Sequence, residues 1–78
     1  MKKSERITDV DARIIIAMDE CDSNVDAVCQ KLHYVRKTVN THLRKIHRVT
    51  GLNARGVFEL PELVQIAKHI LGDEYGNN

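Results

Sequence analysis

Four side chains that can contact DNA recur at helical spacing in the middle of the chain. They are Lys37, Thr41, Arg44 and Arg48. Since successive residues of an α-helix turn by about 100°, this spacing places them on one side of a helix. Lysine and arginine can bind guanine edges or phosphates, and threonine can contact a phosphate or the thymine methyl group. The pattern is therefore typical of a helix that inserts into the major groove of DNA.

Further side chains of the same kind flank this line. Asn40 can form paired hydrogen bonds with adenine, and with Thr38 it is the best candidate for reading bases. We expect Arg36, Lys45 and Arg55 to hold phosphates. The predicted DNA-binding residues on this helix are Arg36, Lys37, Thr38, Asn40, Thr41, Arg44, Lys45 and Arg48.

The distribution of charge indicates an anionic partner more clearly than its total does. The 78 residues carry a formal net charge of only +1. Residues 27–58 nevertheless contain seven lysines and arginines and no acid, and both flanking segments are net negative. A solvated helix usually mixes the two signs, so an acid-free stretch favours binding to an anion over a plain basic surface.

Apolar spacing and capping residues predict four α-helices. Thr8 is a good N-cap for the first helix, with Asp11 three residues on in a capping-box arrangement. Asn24 or Ser23 can cap the second helix, and Gly51 suits the left-handed residue that ends the third. No segment alternates with a period of two, so strands are not expected. The predicted helices span residues 9–21, 24–32, 36–50 and 60–71.

Each helix carries an apolar stripe that is expected to face a shared core. On the third helix Val39, Leu43 and Ile46 occupy a narrow sector nearly opposite the cationic line, and we expect all three to be buried. The stripe of the first helix consists of Val10, Ile14, Ala17, Met18 and Cys21. The stripe of the fourth helix consists of Leu60, Leu63, Val64, Ala67, Ile70 and Leu71.

The second and third helices are separated only by His33, Tyr34 and Val35. A short helix, a tight turn and a longer helix form a helix-turn-helix, and the first helix can complete the core behind them. The sequence therefore predicts an all-α fold, a small four-helix domain containing a helix-turn-helix. The domain is expected over residues 7–72, with an N-terminal tail over 1–6 and a frayed C-terminal tail over 73–78.

The stretch from Leu32 to Asn53 resembles the C-terminal helix-turn-helix of PucR-type bacterial transcription regulators. The matching positions are Leu32, Arg36, Thr38, Val39, Leu43, Ile46, Thr50 and Gly51. Val35 stands where the family commonly has His, and Lys37 where it has Asn, so the start of the helix and its first contact are expected to differ. The segment is also similar to LuxR-type and Fis-like domains. The resemblance implies a bacterial transcriptional regulator that binds double-stranded DNA.

Other chemistries find little support in the residues. Cys29 and His33 are four apart, but a structural zinc site usually needs four ligands and a close cysteine pair. Cys21 and Cys29 both lie on apolar stripes, where cysteine packs as a small apolar residue. The acidic segment 19–26 lacks the glycine and glutamate of an EF-hand. We predict no enzyme activity, no cofactor, no metal and no small-molecule site.

The expected partners are duplex DNA and a second copy of the chain. One module reads only a few base pairs, so useful specificity usually needs two half-sites about 34 Å apart. Apolar residues beyond the core stripe suggest a dimer surface at the fourth helix; they are Val57, Phe58, Val64 and Ile66. The longest apolar run, five residues, is far too short to cross a membrane, so a cytoplasmic location is expected. The alternative function is an adaptor or antirepressor whose basic helix docks on an acidic protein.

Overall fold

The chain folds into four α-helices in the computed structural model, which describes residues 6–72. No strand occurs among these residues, so the predicted all-α fold is confirmed. The helix bounds agree with the predicted ones to within one residue. The helices are α1 (Asp9–Glu20), α2 (Val25–Leu32), α3 (Arg36–Thr50) and α4 (Glu59–Leu71).

The predicted C-terminal tail, 73–78, lies outside the described residues. Of the predicted N-terminal tail, 1–6, only Arg6 lies within them. Within the described part of the chain, no helix has both the length and the apolar character required to span a bilayer.

Helix ends follow local sequence signals. The Thr8 hydroxyl accepts a hydrogen bond from the backbone N–H of Asp11 over 3.3 Å, and the Asp11 carboxylate accepts from the backbone N–H of Thr8 over 3.0 Å. This is the predicted capping box of α1. Asn24 caps α2 by accepting from the backbone N–H of Ala27 over 3.2 Å. Gly51 ends α3 with a φ of 76°, a left-handed conformation that glycine adopts without steric cost.

α1 is the central helix and packs against each of the other three. Its middle is buried on all sides, since the five residues from 14 to 18 are at most 5% exposed. The predicted stripe on α1 is therefore too narrow, because Ile15 and Ile16 are buried too, while Val10 and Cys21 are half-buried. Among the described helices α4 contacts α1 alone, whereas α2 and α3 contact each other as well as α1. A helix buried all round requires such partners on more than one side.

The connection between α2 and α3 is the predicted turn of three residues. His33 leaves α2 with a left-handed φ of 61°, and the N–H of Tyr34 donates to the carbonyl of Cys29 over 3.0 Å. This hydrogen bond closes the helix end in the manner of a Schellman motif. Val35 then starts α3 from an extended conformation without a side-chain cap. The geometry is compatible with a helix-turn-helix that rests on α1.

α3 buries Val39 and Ile46 completely, as predicted. Leu43 is only half-buried, which corrects the expectation that it lies fully inside the core. Because α4 contacts α1 and not α3, one flank of α3 is left open, and Leu43 lines a groove there. Only part of the Leu43 side chain packs against the core.

This difference in burial predicts unequal costs for two substitutions on α3. Ile46→Ala should lower the free energy of unfolding by about 2–5 kcal/mol, because it leaves a cavity among fully buried side chains. Leu43→Ala should cost roughly 1–2 kcal/mol, since only part of that side chain leaves water on folding. Urea titration followed by circular dichroism measures both values. Equal losses in the two variants would contradict the burial described here.

Candidate nucleic-acid interface

α3 presents the predicted line of four side chains to solvent. Each of the four is exposed and lies away from the buried side of the helix; they are Lys37, Thr41, Arg44 and Arg48. The Thr41 hydroxyl donates to the carbonyl of Lys37 over 2.9 Å. α3 contains no acid along its whole length, and His47 and Arg48 in its last turn complement the negative end of the helix dipole. The exposed side of α3 is therefore cationic.

Three other predicted contacts lie near this surface in different ways. Thr38 and Asn40 are half-buried, and Asn40 stands at the groove beside α3. Arg36 forms an ion pair with Asp26 of α2, and both side chains are largely exposed. An ion pair of this kind contributes only about 0–1 kcal/mol, and the guanidinium has further N–H donors that a phosphate can use.

Lys45 occupies a different place from the one predicted, because its side chain turns toward α1. Its Nζ lies 2.7 Å from Oδ2 of Asp11, and the lysine side chain is only 22% exposed. The other oxygen of the same carboxylate, Oδ1, lies 2.6 Å from Nδ1 of His42. Asp11 itself is completely buried. In this structure Lys45 binds a carboxylate of its own chain in place of the phosphate that the sequence suggested.

The buried carboxylate of Asp11 is surrounded by donors. Its Oδ2 also accepts hydrogen bonds from the backbone N–H and the hydroxyl of Thr8, over 3.0 and 3.1 Å. Burial acts to raise the pKa of Asp11, but hydrogen bonds from Lys45, Thr8 and His42 outweigh it and hold that pKa below its ordinary value. The carboxylate therefore stays ionised at neutral pH and anchors α3 to α1.

Sequence reasoning gave Asp11 a capping role and missed its contact with α3. A signal was present, because Asp11 precedes Ile14, Ile15 and Met18 by three, four and seven residues and so shares their face of α1. A carboxylate on a buried face must find donors or cations. Which helix supplies them depends on tertiary packing, which the spacing does not give.

An open groove of about 600 Å³ runs beside the C-terminal half of α3. Its walls come from α3 and from segment 53–55, which follows α3 in the chain. The lining residues are Asn40, Leu43, Arg44, His47, Arg48, Asn53, Ala54 and Arg55. The groove thus brings Arg55 to the same site as Arg44 and Arg48, a proximity that the sequence did not predict.

The cysteines and the acidic residues form no separate site within residues 6–72. Cys21 and Cys29 are free thiols that pack, half-buried, against the core, as expected of small apolar side chains. In the same range no group of three or more His, Cys, Asp or Glu residues could hold a metal ion. The cationic side of α3 with its groove is therefore the candidate site.

No known protein family, curated protein or solved structure matches this chain. An assignment of function therefore depends on the residues and on their arrangement. That arrangement consists of an acid-free helix with exposed cations, a neighbouring groove with further cations, and a buried carboxylate that fixes the helix in place.

Removal of the Asp11 charge is expected to loosen this arrangement. Asp11→Asn should lower the free energy of unfolding at pH 7 by about 3 kcal/mol, because Lys45 and His42 lose their buried anion. Since the pKa of Asp11 is lowered on folding, its stabilisation is complete above about pH 4 and is lost as the pH falls through the folded-state value. The difference between wild type and variant should therefore shrink on acidification.

Urea titrations at pH 7 and pH 3 test this expectation. Asp9→Asn is the matched control, because it removes an exposed carboxylate from the same first turn of α1 and should cost less than about 1 kcal/mol. A variant at position 11 as stable as wild type at pH 7 would contradict the anchoring role.

Proposed function

We propose that this protein binds double-stranded DNA as a helix-turn-helix protein, with α3 in the major groove. The observation that carries the proposal is the exposed face of α3, which combines cations and threonine at helical spacing with a complete absence of acids. Phosphates attract cations and repel carboxylates, so a helix that enters a groove between two phosphate chains requires this composition.

Two acids that contact α3 are neutralised within the protein. Asp26 at the start of α2 pairs with Arg36, and Asp11 of α1 is buried and held by Lys45 and His42. Both arrangements use residues of α3 that point away from its exposed line. They support the proposal, because they remove the negative charge that would otherwise oppose the approach of DNA.

Each exposed residue then has a role that follows from its chemistry. The centre of the DNA face consists of Lys37, Thr41, Arg44 and Arg48. Asn40 and Thr38 read base edges at the floor of the DNA major groove. Arg36 contacts a phosphate at the start of the helix through the N–H donors that its ion pair with Asp26 leaves over. We place the protein among bacterial transcriptional regulators of the cytoplasm, a role that the resemblance to PucR-type domains implies.

The salt dependence of duplex binding tests the proposal. About four phosphate contacts, each adding about 0.9 to the slope of log affinity against log salt, predict a roughly hundredfold loss between 50 and 200 mM salt. Fluorescence anisotropy with a labelled random duplex measures this loss, and selection from a random pool reveals the preferred sequence. Absence of duplex binding at 50 mM salt would contradict the proposal and favour docking of the basic helix on an acidic protein.

Arg44 provides a test that separates binding from folding. Arg44→Ala should change stability by less than about 0.5 kcal/mol, because the side chain is exposed. If Arg44 pairs with guanine, the variant should lose roughly 1–3 kcal/mol of binding and relax the preference at one base. If it holds a phosphate, binding should weaken on all sequences and the salt slope should fall by about one unit.

The charge reversals Arg44→Glu and Lys68→Glu form a matched pair. Both change the net charge by the same amount, and both positions are exposed, but Lys68 lies on α4. Arg44→Glu should abolish duplex binding at 100 mM salt, whereas Lys68→Glu should weaken it only slightly. Circular dichroism confirms that both variants are folded. Full binding by folded Arg44→Glu would exclude α3 as the DNA-contacting helix.

The proposal includes a homodimer through the surface at α4, because two copies are needed to read two half-sites. Val57 and Phe58, just before α4, are 81% and 87% exposed. Val64 and Ile66 on α4 are half-buried. Val57 and Phe58 are adjacent in the chain, and adjacent apolar side chains that are left exposed often mark contacts between proteins.

Sedimentation equilibrium tests the dimer. Phe58→Ser should shift the protein from dimer toward monomer without lowering its melting temperature, since the side chain is 87% exposed in the isolated chain. Val35→Ser, which removes an exposed apolar side chain at the start of α3, should leave the association unchanged. A wild-type protein that stays monomeric at high concentration, with and without DNA, would contradict the dimer.

A further inference from the structure

We infer that the groove beside α3 seats one sugar–phosphate strand of the DNA, with Arg55 of segment 53–55 holding a phosphate on the wall opposite α3. This inference rests on the proposed function and adds to it a second DNA-contacting element, outside the helix-turn-helix. The observation that carries it is the shared lining of the groove by Arg44, Arg48 and Arg55.

The chemistry of the groove suits a polymer of sugars and phosphates. Its exposed lining residues include the three arginines, and its more buried lining residues are the apolar Leu43 and Ala54 and the polar Asn40. Within the described part of the chain, no acid lines this groove. A DNA strand alternates anionic phosphates with less polar deoxyribose rings, so it can place phosphates against the arginines and sugars against the apolar side chains.

The size and position of the groove favour a strand over a small anion. Its volume of about 600 Å³ is much larger than a single phosphate ion requires, and it is open to solvent. Arg44 and Arg48 also belong to the exposed line of α3, and they lie about 6 Å apart along the helix axis. A duplex that receives α3 in its major groove therefore brings a phosphate strand to the same place.

The backbone of Arg55 is held in position before any ligand arrives. Its backbone N–H donates to Oδ1 of Asn53 over 2.8 Å, and the N–H of Gly56 donates to the carbonyl of Asn53 over 2.9 Å. The first hydrogen bond forms an Asx turn and the second closes a β-turn over residues 53–56, and the buried Ala54 within both packs against the core. Since the backbone of Arg55 is already ordered, less entropy is lost when its guanidinium binds a phosphate. Asn53 is accordingly a positioning residue for Arg55.

Salt titrations of duplex binding test the inference. Arg55→Ala should lower the slope of log affinity against log salt by about 0.9. Relative to 1 M salt, where the contact contributes nothing, the affinity at 0.1 M salt should then fall roughly eightfold. The base preference should stay unchanged, because a phosphate contact carries no sequence information. Lys68→Ala is the matched control; it removes an exposed cation from α4 and should leave the slope unaltered.

A double-mutant cycle tests the positioning role of Asn53. Asn53→Ala should weaken duplex binding in the wild-type background but cause little further loss in the Arg55→Ala background, because it acts through Arg55. A purely structural effect would lower the melting temperature and weaken binding equally in both backgrounds, and would overturn this role.

The outcomes distinguish this inference from the proposed function. If the wild-type protein binds duplex DNA and folded Arg55→Ala retains its affinity and salt slope, the groove does not seat the strand, although α3 still binds DNA. If the wild-type protein binds no duplex at 50 mM salt, both fail together. The last experiment is a titration with deoxyadenosine monophosphate, monitored by NMR of the arginine Nε groups. Saturation of the groove at micromolar concentration would identify a small nucleotide as the occupant and overturn the inference.

Discussion

The position of α3 depends on one buried charge, the carboxylate of Asp11. Hydrophobic contacts hold α3 against the core, but they are not directional and allow a helix to rotate or slide. The carboxylate is directional, because its two oxygens receive His42 and Lys45 from successive turns of α3. It is also linked to the start of α1, since Thr8 both caps that helix and donates to the same carboxylate. One group thereby fixes where α1 begins and how α3 is rotated, and this rotation turns the cationic line toward solvent.

A buried ion pair is not in itself a strong source of stability, because desolvation cancels much of the attraction between the charges. Its effect here is on orientation. A misplaced α3 would leave the buried Asp11 carboxylate with the Thr8 donors alone and without a cation, and that costs several kcal/mol, a large part of the stability of a domain of this size. In the observed arrangement no buried polar side-chain atom of residues 6–72 lacks a hydrogen-bond partner. The aliphatic core around Ile14 and Met18 supplies most of the folding energy, while the carboxylate selects one arrangement of helices within it.

Local signals were sufficient to predict the helices and the exposed line of α3. Thr8, Asn24 and Gly51 act through neighbours only a few residues away, so their effects can be read from sequence. The errors concern contacts between segments distant in the chain. Helical periodicity places Leu43 near the core but cannot show that α4 packs on α1 alone and leaves that flank of α3 open. Helical periodicity likewise does not show that Lys45 contacts the carboxylate of a residue 34 positions before it, or that Arg55 shares a groove with Arg44.

The neighbouring cations Arg44 and Lys45 show how one helix can serve folding and binding separately. A turn of about 100° between them sends Lys45 to the buried Asp11 and Arg44 to the surface. Salt screens exposed charges over roughly 8–10 Å but acts weakly on a buried pair. If the outer cations bind DNA as proposed, ions compete with DNA for them while the attachment of α3 to α1 persists. Under the proposed function, the surface that contacts DNA is therefore assembled before DNA binds, and the cost of orienting α3 is met during folding and not during binding.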